Sequence, residues 1–199
     1  RNVQLCNIFL ANIGDNSPGY VGSTPFHFAA NLGNIKICKL FIEKFPLKNP
    51  TDEKGITPLH NAAKKGNFDI FMFIAQSIFD INPKTNYNGS TPLHFAAYEG
   101  HHNICQAIIE DDRTSDKNPQ NRYGETPFHE AAEGGHYEVC KLIIEYVLDK
   151  NPRSNNGDTP LHKAAANGHM KTCALIVDKA RIKNPVNDDG ETPYDHALA

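Results

Sequence analysis

Apolar residues along this chain arrive in short bursts. The longest unbroken run, Ile70 to Ala75, is six residues, and each burst is cut off by a polar stretch rich in Asn, Pro and Gly, the composition of turns. The bursts are also periodic. Thr-Pro recurs at Thr24, Thr57, Thr91, Thr126, Thr159 and Thr192, at steps of 33, 34, 35, 33 and 33 residues, a spacing that marks stacked repeats rather than one continuous core. Five further prolines stand in Asn-Pro pairs (Pro50, Pro83, Pro119, Pro152, Pro185). A glycine lies two residues before every Thr-Pro, from Gly22 to Gly190, and another nine residues after the threonine in the first five copies, from Gly33 to Gly168.

Each recurring position has a mechanical reading. The threonine is a helix N-cap, and the proline takes the first helical position, where its missing N–H costs nothing. Ala-Ala lets a neighbouring helix approach closely. The later glycine takes positive φ, ends the short helix and turns the chain into a second one, such as Ile104 to Ile109 or Glu138 to Tyr146. These second helices are apolar over most of their circumference (Val139, Cys140, Leu142, Ile143, Ile144), as a helix sandwiched between neighbouring repeats must be. The Asn-Pro to Gly segment predicts an outward-projecting loop or β-hairpin.

Thr-Pro-Leu-His-Asn-Ala-Ala at Thr57, Thr-Pro-Leu-His-Phe-Ala-Ala at Thr91 and Thr-Pro-Leu-His-Lys-Ala-Ala at Thr159 resemble the ankyrin repeat. The resemblance covers nearly all of residues 14 to 199 and implies an all-α repeat solenoid: helix-turn-helix units with a β-hairpin or loop, stacked into a curve whose concave face is built from the hairpins and first helices. The expected units are repeats over 16–48, 49–81, 82–117, 118–150 and 151–183, with a partial sixth over 184–199. Residues 1–15 read as the second helix of a truncated preceding repeat, with Cys6 where Cys38 stands one repeat later. The sixth copy carries Thr192-Pro193-Tyr194-Asp195, and the Asp resembles a C-terminal cap. Extra residues fall in the connections before Gly89 and Gly124.

Composition adds exclusions. With 39% apolar and 22% charged residues the chain matches an ordinary soluble protein, and no stretch approaches the roughly 20 apolar residues of a membrane span. A net charge of −3 offers no basic patch for nucleic acid. Beginning at Arg1 and stopping at Ala199 inside an unfinished element, the segment is expected to belong to a longer polypeptide.

Histidines and cysteines invite a metal reading, but the repeat absorbs most of them. His27, His60, His94, His129 and His162 hold the fourth motif position, where a structural hydrogen bond bridging the N-cap threonine and the backbone of an adjacent hairpin is expected. His101, His136 and His169 start second helices, leaving only His102 and His196 outside the pattern. Cys6, Cys38, Cys105, Cys140 and Cys173 lie at one register of the second helix. Repeats stack roughly 10 Å apart, too far for a disulfide, so these are expected to be buried free thiols in a reducing, cytoplasmic setting. No metal, cofactor or catalytic constellation is predicted: Gly-x-Ser-x-Gly, phosphate-loop and dinucleotide motifs are missing.

Subtracting the framework leaves the hairpin tips flanking each glycine and the inner face of the first helices. The candidate protein-binding residues there are Tyr20, Phe28, Tyr87, Phe95, Tyr98, Glu99, Arg122, Tyr123, Glu125, Glu130 and Glu133. Exposed Tyr and Phe suit a recognition surface, and the acidic group beside them points to a protein or peptide with an aromatic or aliphatic anchor and a basic flank. Lys54, Lys64 and Lys65 favour the opposite charge in the second repeat. Packing against adjacent first helices is the alternative role for Phe28 and Phe95. The expected function is non-catalytic recognition as scaffold or adaptor; the alternative is the cytosolic repeat domain of a membrane channel, acting in assembly or gating. Asn49, Asn82, Asn118, Asn151 and Asn184 resemble the asparagine hydroxylated in many ankyrin repeats, although the proline after each departs from that pattern, and a structural role is the competing reading.

Overall fold

The computed structural model describes residues 22–198; the remnant helix expected over 1–15, Cys6 and Tyr20 lie outside them. Among the described residues eleven helices follow one another as five pairs and a last single helix: α1 Pro25–Asn31 and α2 Ile35–Lys44, α3 Pro58–Lys65 and α4 Phe68–Ala75, α5 Pro92–Tyr98 and α6 His102–Glu110, α7 Pro127–Glu133 and α8 Tyr137–Tyr146, α9 Pro160–Ala166 and α10 Met170–Lys179, then α11 Pro193–Leu198. Each first helix packs on its own second helix and on the first helices before and after it, and the second helices form a parallel layer. The result is an all-α stack of repeats.

Local chemistry sets every boundary. Thr57 accepts the His60 N–H on its hydroxyl while the His60 ring accepts the Thr57 N–H, a reciprocal capping box that recurs at Thr24, Thr91, Thr126 and Thr159. At the other end Gly66 adopts φ 69°, the left-handed conformation that carries a Cβ penalty for other residues. The Asn67 N–H then returns to the Ala62 carbonyl at 3.0 Å, closing α3 and aiming the chain into α4. The second helices begin sooner than the apolar pattern indicated, at His102 and Tyr137, because His101 and His136 take the N-cap positions.

The core runs between the two helix layers. Leu59, Leu93, Phe128 and Leu161 are buried from the first helices, backed by Ala pairs such as Ala62-Ala63 and Ala96-Ala97, against Phe71, Ile74, Ile108, Ile143 and Ile176 of the second layer. Each such side chain contributes about 1.5 to 3 kcal/mol of transfer free energy.

Among the described residues the connecting segments contain no β-strand; they are tight turns, not hairpins. Asp52 Oδ1 accepts the N–H groups of Lys54 and Ile56, and Asn121 Oδ1 those of Tyr123 and Glu125, so a side chain supplies the bonds a partner strand would have given. Successive turns are nevertheless joined through their backbones: Asn86 N–H to Lys54 O at 2.8 Å, Arg122 to Asn88 at 2.8 Å, Asn155 to Tyr123 at 2.9 Å and Asp188 to Asn156 at 3.0 Å. At the last repeat Asp195 Oδ2 accepts from the N–H and hydroxyl of Thr192 at 2.8 and 2.7 Å. A carboxylate there replaces the imidazole of the other copies.

Candidate functional site

Among the described residues, the buried motif histidines serve the stack. Nδ1 of His27, His60, His94, His129 and His162 accepts the N–H of its own N-cap threonine, so Nε2 carries the proton. It donates to a carbonyl of the following repeat: Ile56, Pro83, Glu125, Asp158 and Glu191 respectively, at 2.9 to 3.2 Å. Burial holds His60, His94 and His129 down to about 4 and also lowers His27 and His162. Neutral imidazoles are therefore structural pegs with both nitrogens occupied.

A second row was not legible in advance. His101, His136 and His169 donate from Nε2 to the carbonyls of Lys64, Tyr98 and Glu133 at the end of the preceding first helix, at 3.1, 2.8 and 2.8 Å, and Asn67 does the same for Ala30 at 2.8 Å. A third row is formed by lysines. Lys48 and Lys150 point Nζ back into the open carbonyls ending their own second helices, at Ile42 and at Ile144 and Val147. Lys117 bonds the Asp111 carbonyl at 3.0 Å and Lys183 those of Val177 and Asp178. A cation at a helix C-terminus satisfies orphan carbonyls and the dipole together. The signal was present as a recurring Lys-Asn-Pro triplet, broken only at Ile81, which is buried instead.

The asparagines of those triplets are also committed. Asn49, Asn82 and Asn118 accept on Oδ1 the N–H of Leu59, Leu93 and Phe128 at 3.1, 3.0 and 3.1 Å, tying the turn to the next first helix. Asn151 departs: its Nδ2 donates to the Ile182 carbonyl at 3.2 Å while its Oδ1 is buried without a partner. The two-residue lengthening before Gly124 accommodates Arg113, whose guanidinium bonds the Ala75 and Ile78 carbonyls and pairs with Asp111 at 2.7 Å.

Cys38, Cys105, Cys140 and Cys173 are free thiols. Burial pushes Cys38 and Cys105 up to about 12 and also raises Cys140. Cys173 corrects the expectation of uniform burial: it is only partly covered, since no further second helix packs over α10 among the described residues. Those residues also contain no group of three His, Cys, Asp or Glu side chains arranged to hold a metal, and no helix long and apolar enough to cross a membrane. His196 sits at the last repeat, with Nε2 3.1 Å from Glu191 and 3.7 Å from Asp158.

The candidate binding residues within the described range fall on the turns, on the first helices and at a first-helix C-cap. Tyr87 and Tyr123 stand exposed on turn tips, and Tyr98 and Glu99 are exposed at the end of α5. Phe28 is 57% exposed, so packing against a neighbouring first helix does not account for it. Phe95 is half-buried: its ring meets His60 edge-on at 5.8 Å, and Lys64 Nζ lies 5.9 Å from its centroid. Lys54 Nζ stands 5.9 Å over Tyr87 in the same way. Arg122 is partly engaged, donating to the Tyr87 carbonyl at 3.0 Å.

The acidic group is less available than its sequence implied. Lys163 of α9 reaches Glu125 at 2.6 Å and Glu133 at 3.1 Å, so two of the carboxylates are already paired across the repeat boundary. Glu130 lies beside them, pushed up to about 7 first by burial and then by Glu125 and Glu133. One cation among three carboxylates leaves the cluster negative.

A family model described as ankyrin repeats matches in three overlapping stretches, residues 1–85, 72–154 and 143–199. Alpha-latrotoxin-Lg1a of Latrodectus geometricus is 42% identical over 66 residues, 32% of this chain and 5% of the toxin. The probable 26S proteasome regulatory subunit p28 of Saccharomyces cerevisiae is 32% identical over 76 residues, 37% of this chain and 33% of the subunit. The putative ankyrin repeat protein FPV223 of fowlpox virus is 43% identical over 49 residues, 24% of this chain and 35% of that protein. Each of these matches covers only part of this chain, and ankyrin repeats are generally protein–protein interaction modules. From the six in-register motifs, the paired helices and a family match that runs from residue 1 to residue 199, the chain belongs to the ankyrin-repeat family.

Proposed function

We propose that this segment is a non-catalytic recognition module, a scaffold or adaptor within a longer polypeptide, that binds a protein or peptide segment along the face built from turn tips and first helices. The observation that carries this reading is the exposure of Tyr87, Tyr98 and Tyr123 on a surface where the surrounding polar groups are spent on holding the stack together. Aromatic side chains with an apolar body and a polar tip supply most of the energy of an interface once water leaves. Tyr20, Phe28, Phe95, Glu99, Arg122, Glu125, Glu130 and Glu133 complete the proposed site, and a partner with an aromatic or aliphatic anchor and a basic flank fits its chemistry. The flank would meet Glu130 and Glu99 first, with Glu125 and Glu133 shared with Lys163. A cytoplasmic location is part of the same reading, supported by the free thiols of Cys38, Cys105, Cys140 and Cys173.

Selection of a displayed peptide library on the intact chain, beside a Tyr87→Ala, Tyr98→Ala, Tyr123→Ala variant with unchanged melting temperature, tests it. Peptides enriched by the wild type alone bear out the groove and reveal the ligand motif. Equal enrichment by both, or none, overturns it.

A further inference from the structure

We infer that Asn156 is a self-modifying residue: the Gly157 nitrogen closes on its side-chain amide, ammonia is expelled, and hydrolysis leaves aspartyl and isoaspartyl links, the second of which unties the sixth repeat from the fifth.

The chain holds three Asn-Gly steps, Asn88-Gly89, Asn156-Gly157 and Asn167-Gly168. Glycine is the residue whose backbone nitrogen an asparagine side chain approaches most freely, because no Cβ stands in the way. In each step the glycine N–H is bonded to a backbone carbonyl, at 3.1, 2.9 and 3.0 Å respectively, so that bond does not separate them. The side chains do. Asn88 Oδ1 accepts the Thr85 hydroxyl at 2.8 Å and the Ser90 N–H at 3.1 Å. Asn167 Nδ2 donates to the Lys163 carbonyl at 3.0 Å, folded back along its own helix. Both amides must break a bond before they can turn toward the glycine. Asn156 stands exposed, and among the described residues no protein group bonds its side chain; its neighbour Asn155 takes the Arg122 carbonyl instead. The two charges beside Gly157, Arg153 and Asp188, are paired with each other at 2.6 Å and largely cancel, which leaves the freedom of the amide to decide.

The step balances with water as the one co-reactant. Base takes the Gly157 N–H proton, the nitrogen bonds to Asn156 Cγ, and the Cγ–Nδ2 bond breaks as ammonia leaves with a proton from water. Water then opens the cyclic imide. Cleavage at Cγ gives an aspartyl link, whereas cleavage at the original carbonyl carbon routes the chain through the side chain and strands that carbon as a carboxylate. Nothing is oxidised or reduced. The stranded carbon is the one whose oxygen accepts the Asp188 N–H at 3.0 Å, the backbone tie between the last two turns. An added methylene shifts that tie, and the new anion stands beside Asp188 and Asp189, which repel it.

Peptide mapping by mass spectrometry, after incubation of the intact chain in mildly alkaline buffer, tests this, with fragmentation that separates aspartyl from isoaspartyl links. Asn156 should convert at least about fivefold faster than Asn88 or Asn167, the factor that roughly one intramolecular hydrogen bond represents. In urea the three steps should convert at similar rates. Amide exchange over residues 188–198 should be faster in the aged chain and unchanged in an equally aged Asn156→Gln chain. Conversion at Asn88 or Asn167 first, equal rates in the folded chain, or a folded chain that stays intact while the unfolded one converts, each overturns the inference. Unchanged exchange in a chain shown to carry the isoaspartyl link overturns it as well.

Discussion

The Nε2–H of His129 donates to the carbonyl oxygen of Asp158, 29 residues along the chain, at 3.0 Å, while its Nδ1 accepts the Thr126 N–H at 3.1 Å. One ring therefore caps a helix and rivets two repeats, and it can do both only as the neutral tautomer. A proton on Nδ1 would face the Thr126 N–H.

Acid should weaken the stack through this row. The imidazoles of His60, His94 and His129 are depressed from 6.5 to about 4 in the folded chain. The unfolded chain therefore binds more protons between those values, and stability falls as pH drops from about 6.5 toward 4. Each ring can withdraw up to about 3 kcal/mol. Glu130, raised to about 7, acts in the opposite sense over pH 4.5 to 7, but it is one group against three or more. Urea midpoints measured from pH 7.5 to 4.5 should decline steadily; a flat profile would contradict the neutral-peg role.

Leu59→Ala or Leu93→Ala should destabilise the chain by roughly 2 to 5 kcal/mol, since both side chains are fully buried between stacked helices. A loss below about 0.5 kcal/mol in denaturant titration would be incompatible with that packing.

Two glycines in the same left-handed conformation should respond differently. Gly100 at φ 77° and Gly168 at φ 70° both strain under alanine, but a Cβ on Gly100 collides with the His136 ring, whereas one on Gly168 meets nothing within 4 Å. Gly168→Ala should cost about 1 kcal/mol. Gly100→Ala should cost distinctly more, because His136 must leave the Tyr98 carbonyl; equal losses would mean that this bond contributes little.

Reducing agent should leave the melting temperature unchanged. Among the four thiols of the described residues, a thiol reagent should in the native state modify the partly covered Cys173 first, with the buried Cys38, Cys105 and Cys140 reacting only on unfolding, because burial blocks access and suppresses their thiolates. Simultaneous modification of all four would refute the difference in burial.

Lys163→Met should lower stability at pH 8, where Glu125, Glu130 and Glu133 lose their shared cation. The deficit should shrink toward pH 5 as Glu130 takes up its proton. A deficit independent of pH would show that Lys163 acts through packing alone.

The sequence by itself determined the period, the starts and stops of the first helices, the residues of the buried layers and the pegging role of the motif histidines. These follow from short-range rules: a threonine capping a helix, a proline at its first position, a glycine at positive φ, apolar residues at helical spacing. Repetition made each rule legible several times over. The second-helix starts were missed by one or two residues because their caps are the histidines themselves, and the turns formed without strands because Asp52 and Asn121 satisfy the backbone locally.

Only the tertiary structure decided what meets across a repeat boundary. Glu125 and Glu133 looked like free recognition carboxylates until Lys163, 38 and 30 residues later, was placed between them. Phe28 and Phe95, at the same register two repeats apart, separated into an open and a half-covered ring, because Lys64 and His60 come from a neighbour that no local pattern reports. Which side chains remain available to a partner depends on what adjacent repeats have already claimed, and that is set by packing in three dimensions, not by spacing along the chain.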